Sequence, residues 1–179
     1  ANNGNPFIQD IGGGAVFFGT EFDAYEVIAG WTYDSRNRAL FATRGMRHQL
    51  FLSGTVPGSE VEYYTARYNA TVYWPLWRGF VLRYNLETGM GEALGDTTAL
   101  PPYKHFFGGG PGSVRGFRES WLGPRDSFGN PYGGNVLVAS QLELIIPLPD
   151  KWASQARAAI FYDVGNVFNT GEVEFTDKL

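Results

Sequence analysis

Three charged residues in the second half of the sequence have types and spacing suited to one electrostatic task. Arg115 sits in Pro101-Pro102-Tyr103-Lys104-His105-Phe106-Phe107-Gly108-Gly109-Gly110-Pro111-Gly112-Ser113-Val114-Arg115-Gly116-Phe117, with Trp121-Leu122-Gly123-Pro124 after it. Glu143 and Asp163 each fall on the polar register of a segment in which polar and apolar residues alternate. Across an antiparallel pair, two such carboxylates can reach a single guanidinium. Arginine offers a planar fork of donors that matches carboxylates, which lysine does not reproduce. Buried without partners it would be costly, and removing one member of a desolvated cluster costs about 3–5 kcal/mol. The expected role of Arg115 is therefore to pin its loop to Glu143 and Asp163. Two plainer readings stand beside it: a solvated loop arginine, and ordinary carboxylates on a polar sheet face.

Other chemistries find little support. A pair of carboxylates is also the equipment of a glycosidase, but nothing else in the sequence points that way. Gly108–Gly112 lacks the Gly-Lys-Ser/Thr of a phosphate loop, and no helical pattern opens after it. His48 and His105 have no second ligand at metal spacing and read as structural or exposed. No serine occupies a nucleophile elbow. Asn69-Ala70-Thr71 fits a glycosylation sequon but lies within a strand pattern. No catalytic residue, cofactor or metal is expected.

The elements that position these residues read as strands. In Val61–Trp74, Tyr64, Ala66, Tyr68, Ala70, Val72 and Trp74 alternate with Tyr63, Thr65, Arg67, Asn69, Thr71 and Tyr73. A period of two over this length is a strand with one apolar and one polar face. The same alternation marks Tyr25–Asp34, Phe80–Glu87, Val136–Ile146 and Arg157–Gly165. A less regular strand is placed at about Arg47–Val56, between the turn-like stretches Arg36–Gly45 and Pro57–Glu60.

Alternation fits a soluble sandwich or a membrane barrel. Aromatics near strand ends, such as Trp31, Tyr33, Tyr73 and Trp74, favour the barrel, as interfacial girdles do. So do strand lengths near the roughly 9–11 residues needed to cross a bilayer at a tilt. No apolar stretch approaches the roughly 20 residues of a spanning helix. The connections are unequal: Pro57–Glu60 and Pro75–Arg78 are tight, whereas a long loop covers about 89–135. With 44% apolar residues and a net charge of only −4, disorder is unexpected, and 24 glycines without a three-residue period exclude collagen. The absence of cysteine excludes a disulfide scaffold and thiolate metal sites. The 14 basic residues form no run, so nucleic acid is not an expected partner. Closed membrane barrels need about eight strands or more, so residues 1–179 are expected to form one part of a transmembrane β-barrel domain. No signal peptide is visible in the polar start Ala1-Asn2-Asn3-Gly4, which is expected if one has been cleaved or if the chain is a piece of a longer one.

Phe106-Phe107-Gly108-Gly109 followed by Ser113-Val114-Arg115-Gly116-Phe117 resembles the signature of the outer-membrane assembly and two-partner secretion superfamily. Asn135–Glu143 and Phe161–Phe168 are similar to the two strands that follow it in that family. Gly30-Trp31-Thr32-Tyr33-Asp34, Thr43-Arg44-Gly45 and Pro57-Gly58-Ser59 with Glu62-Tyr63-Tyr64 resemble its assembly-factor branch. The resemblance implies an antiparallel barrel of about sixteen strands, of which this chain supplies roughly the eighth to thirteenth. It implies a loop folded into the lumen, locked by Val114, Arg115, Gly116 and Phe117 with Glu143 and Asp163 as lumen partners. It further implies a non-catalytic insertase of the bacterial outer membrane. The implied partners are the lipid bilayer, unfolded outer-membrane clients, accessory lipoproteins and periplasmic domains. The alternative within the superfamily is a secretion pore that exports an unfolded partner protein.

Overall fold

A computed structural model describes residues 8–10, 15–17, 23–126, 128–153 and 156–170. Two short strands, β1 (Ile8–Asp10) and β2 (Ala15–Phe17), pair with each other in a small antiparallel sheet that the alternation did not mark. The other described strands form one six-stranded antiparallel sheet in chain order. Its strands are β3 (Glu26–Asp34), β4 (Gly45–Thr55), β5 (Tyr63–Pro75), β6 (Val81–Ala93), β7 (Val136–Ile146) and β8 (Ala158–Phe168). The sheet does not close on itself among the described residues, and β3 and β8 are its edges. Among the described residues helix is confined to short turns, with one α-helical turn, α1, at Asp150–Ala153.

The registers sort the side chains onto two faces. Asp34 opposes Arg47, Arg47 opposes Thr71, Thr71 opposes Asn85, Asn85 opposes Gln141 and Gln141 opposes Asp163. This polar face is the one the long loop covers. The opposite face carries Val27, Trp31, Tyr33, Leu52, Trp74, Val138, Leu142, Ile160, Tyr162 and Val164, all exposed. Tyr162 is 69% exposed and Ile160 65%. Contiguous apolar surface of this kind is not a feature of a soluble monomer, and a bilayer is the solvent that suits it. Trp31 stacks on Tyr33, Tyr33 meets the His48 ring, and His48 stacks on Tyr68, with centroids 6.0–6.4 Å apart.

Connections alternate between the ends of the sheet. Residues 35–44, 76–80 and 147–157 join strands at one end, the turn end. Residues 56–62 and the long loop lie at the other. Pro75 closes β5, since proline has no N–H for the ladder. Asn37 braces the 35–44 turn, its Oδ1 accepting the backbone N–H of Thr43 at 3.0 Å. The long loop is shorter than expected. The ladder of β6 continues to Ala93, opposite Tyr63, so the connection occupies 94–135 rather than beginning near residue 89.

The buried clusters show where the loop is held. Phe106, Val114, Leu137, Ala139 and Val167 form one, with Leu122 packed against it. Val61, Tyr63 and Leu100 form another near the mouth of the loop. At the turn end, Ala42 packs with Tyr73, Val81 and Ile145. Full burial of a side chain such as Leu137 or Val167 stabilises by about 1.5–3 kcal/mol. The loop is thus part of the core of the sheet.

Candidate functional site: the loop tip on the polar face

Backbone pairing sets the path of the loop. Leu94 N–H donates to the Glu62 carbonyl at 2.8 Å, and Phe106 and Gly134 exchange backbone hydrogen bonds at 2.8 and 3.0 Å. Farther out, Leu122 N–H donates to Gly108 carbonyl at 3.0 Å. The two limbs therefore run side by side, and residues 109–121 form the tip. Gly110 N–H donates to the Phe117 carbonyl at 3.1 Å, and Ser113 N–H to that of Gly110 at 3.1 Å. Gly116 has φ of +92°, a conformation that disfavours any residue with a Cβ. That bend leaves the residue before it aimed at the sheet.

Arg115 meets both carboxylates. Its backbone N–H donates to Asp163 Oδ2 at 2.9 Å, its Nε to the same oxygen at 2.6 Å, and its Nη2 to Oδ1 at 2.6 Å. Nη1 donates to Glu143 Oε1. Asp163 is 2% exposed, Glu143 13% and Arg115 21%. The fork-on-carboxylate arrangement uses the planar geometry that distinguishes arginine from lysine. The guanidinium also lies 3.8 Å from the centroid of the Phe161 ring, within cation–π range.

Two contributors were not singled out from sequence. Arg83 Nη1 is 2.9 Å from Glu143 Oε2, so Glu143 bridges two arginines. Phe161 supplies the aromatic face. Each carried a signal: Arg83 lies on the same polar register as Glu143, opposite it across β6 and β7, and Phe161 is an aromatic on a polar register.

The other motif residues are divided in their placement. Val114 is buried in the cluster with Leu137 and Val167. Phe117 contributes its carbonyl to the tip and is 54% exposed. Gln141 Nε2 donates to the Pro111 carbonyl at 3.3 Å. A polar cavity of about 420 Å³, lined by Arg47, Gln49, Asn69, Arg83, Asn85 and Glu87 among others, lies beside Gly112.

The histidines lie elsewhere. His48 Nδ1 is 2.7 Å from the Tyr68 hydroxyl on the apolar face. His105 is in the loop, where burial pushes its pKa below the ordinary imidazole value. Its Nδ1 lies 3.1 Å from the Tyr132 carbonyl, to which it donates.

A second electrostatic contact ties the outgoing limb to the far edge strand. Lys104 Nζ is 2.6 Å from Glu26 Oε1, and lies 5.3 Å from the Tyr63 ring centroid. Both side chains are about a quarter exposed, so this pair contributes at most about 1 kcal/mol. Lys104→Met is expected to raise proteolysis around residues 101–107 by up to about fivefold in the folded protein, leaving cleavage at the tip unchanged. Equal acceleration at both places would mean that the loop moves as one body.

The site holds a loop. Its chemistry is the neutralisation of buried charge by geometry. The Omp85 superfamily domain matches residues 19–177. The chain is 36% identical over 150 residues to the outer membrane protein assembly factor BamA of Neisseria meningitidis serogroup B, covering 81% of this chain and 19% of that protein. A SAM50-like protein of Drosophila melanogaster is 30% identical over 139 residues, covering 75% of this chain and 31% of its own length. The crystal structure of BamA from Haemophilus ducreyi lacking POTRA domains 1–3 superposes with a TM-score of 0.74 at 32% identity, over 88% of this chain and 31% of that one. The chain therefore spans between a fifth and a third of these relatives. With a domain match over nearly its whole length and a six-stranded sheet that superposes on a barrel of that kind, the chain belongs to the Omp85 superfamily.

Proposed function

We propose that this chain is part of the barrel of an outer-membrane protein assembly factor in the bacterial outer membrane. In this reading it serves a machine that inserts other β-barrels without catalysing a covalent reaction. The observation that carries it is the loop tip, bound through Arg115 to Glu143 and Asp163 on the polar face of a sheet whose other face is apolar. A sheet with these faces is built to stand between lipid and a polar lumen. The resemblance to proteins named as assembly factors gives the direction of the function.

The proposed role of Val114, Arg115, Gly116 and Phe117 is to lock the loop in the lumen. Val114 seats the tip in apolar packing, Gly116 sets the bend, the Phe117 carbonyl closes it and Arg115 supplies the charge. A fixed loop keeps the lumen filled while the wall deforms around it. Unfolded outer-membrane clients and accessory lipoproteins are the proposed partners, together with the bilayer and the periplasmic domains of the complete protein. No cofactor enters this mechanism, which works through membrane thinning and strand pairing.

The test reconstitutes the complete protein in liposomes, with folding of an added unfolded outer-membrane barrel and leakage of small solutes followed together. Faster client folding with little leakage is expected. Solute passage with no effect on folding would replace this reading with the secretion pore.

A further inference from the structure

The two ends of the sheet carry opposite charge. In sequence, the turn-end connections 35–44, 76–80 and 147–157 contain Arg36, Arg38, Arg44, Arg78, Lys151 and Arg157 against one acidic residue, Asp150. At the other end, 23–25, 56–62 and 94–100 contain Asp23, Glu60, Glu62 and Asp96 and no basic residue, while the rest of the long loop, 101–135, carries Lys104, Arg115, Arg118 and Arg125 against Glu119 and Asp126. Two of the turn-end cations have internal work. Arg36 pairs with Asp34 at 2.7 Å, and Arg157 Nη2 donates to the Ala42 carbonyl at 3.0 Å. Arg38, Arg44, Arg78 and Lys151 are exposed and form no ion pair among the described residues.

Two of these four are built into a common motif. Arg78 lies 4.4 Å from the centroid of Trp77, and Lys151 lies 4.6 Å from that of Trp152. Trp77 is 74% exposed and Trp152 53%. They belong to neighbouring turns, for a Cβ added at Gly79 would sit 3.3 Å from Pro147. Exposed Leu76 and Trp74 continue the apolar surface from these turns onto the bare face of the sheet. An indole with a cation on its face, placed where an apolar wall ends, has the chemistry of the bilayer interface. The ring matches the acyl–headgroup boundary and the cation matches a phosphate.

We propose that the turn end is a contact surface for anionic phospholipid headgroups, bound by Arg78 and Lys151 beside Trp77 and Trp152. The proposal rests on the reading of the sheet as a membrane wall. Charge complementarity selects the occupant, since the turn-end connections carry six basic residues against one acidic residue. Each basic side chain near an anionic surface enriches the counter-charged lipid about fivefold.

The experiment uses the complete protein in phosphatidylcholine bilayers containing equal mole fractions of brominated phosphatidylglycerol or brominated phosphatidylcholine. The signal is the tryptophan emission that is lost in the W77F/W152F variant. Phosphatidylglycerol is expected to quench it more deeply, with local enrichment on the order of tenfold. Arg78→Gln with Lys151→Gln should abolish that excess while leaving quenching by the zwitterionic lipid intact. Equal quenching by the two lipids, or an excess that survives the double substitution, overturns the proposal and leaves the membrane wall standing. Quenching by neither lipid overturns both. Heat-dependent gel mobility verifies that each variant is folded.

Discussion

Replacing Arg115 with alanine is expected to free the loop tip, with a loss of about 3–5 kcal/mol for a broken desolvated charge cluster. Asp163 suffers most. It accepts three hydrogen bonds from Arg115, is 2% exposed, and forms no ion pair with a second cation among the described residues. Glu143 keeps Arg83 at 2.9 Å. Asp163→Ala should therefore loosen the tip more than Glu143→Ala does, although both carboxylates face the same guanidinium. Arg115→Lys should fall between wild type and alanine, because it keeps the charge and loses the fork. Partial exposure of Arg115 lets water reach the vacated site, which places the effect toward the lower end of the range. Limited proteolysis between Gly108 and Trp121 in the folded complete protein measures it. Cleavage of the Arg115→Ala variant at the wild-type rate would show that packing of Val114 alone holds the tip.

The partner set was legible because strand alternation has a strict parity. Once Val136–Ile146 and the segment around Asp163 read as adjacent strands, Glu143 and Asp163 had to share a face, and β7 has the bounds its alternation gave it. The same parity makes Arg83 a neighbour of Glu143, but only after the register of β6 against β7 is known. Alternation specifies which face a residue takes and leaves open which residue it opposes. The registers depend on turn lengths and on side-chain packing. The path of the loop was less legible still, because aromatics spaced through glycines have no period. That they had to pack followed from composition; that Phe106 and Val114 meet Leu137 and Val167 followed from nothing local.

The end of β6 was misplaced for a reason that the structure makes plain. The alternation stops at Glu87, where the sequence continues Thr88-Gly89-Met90-Gly91-Glu92. Glycine has little strand propensity and leaves the loop-covered register without side chains. Here the missing side chains are replaced from outside. A Cβ at Gly91 would meet Leu100 at 3.0 Å, and one at Gly89 would meet Phe106 at 2.6 Å. The loop supplies the inner face of this stretch, so a pattern that looked like the end of a strand marks where the loop lies on one.

This complementarity has a measurable consequence at Gly89 and Phe106. Gly89→Ala places a methyl group inside the volume of the Phe106 ring, and overpacking of that kind costs about 1–3 kcal/mol. Backbone relief is limited, because Gly89 is laddered to Arg67 on one side and Leu137 on the other. Phe106→Ala is expected to cost more, about 3–5 kcal/mol, since the ring is 4% exposed at the heart of the loop cluster. Arg67 would also lose the aromatic face 5.2 Å from its guanidinium. In the G89A/F106A double variant the added methyl no longer meets a ring and fills part of the cavity. The penalties should then fail to add, with a coupling of about 1–2 kcal/mol in the restoring direction. Heat-dependent gel mobility of the complete protein, read as a midpoint shift for the four members of the cycle, gives the comparison. Additive shifts would place the ring away from Gly89. Non-additive shifts would tie the unusual glycines of β6 to the loop that rests on them, because no other contact joins the two positions so closely.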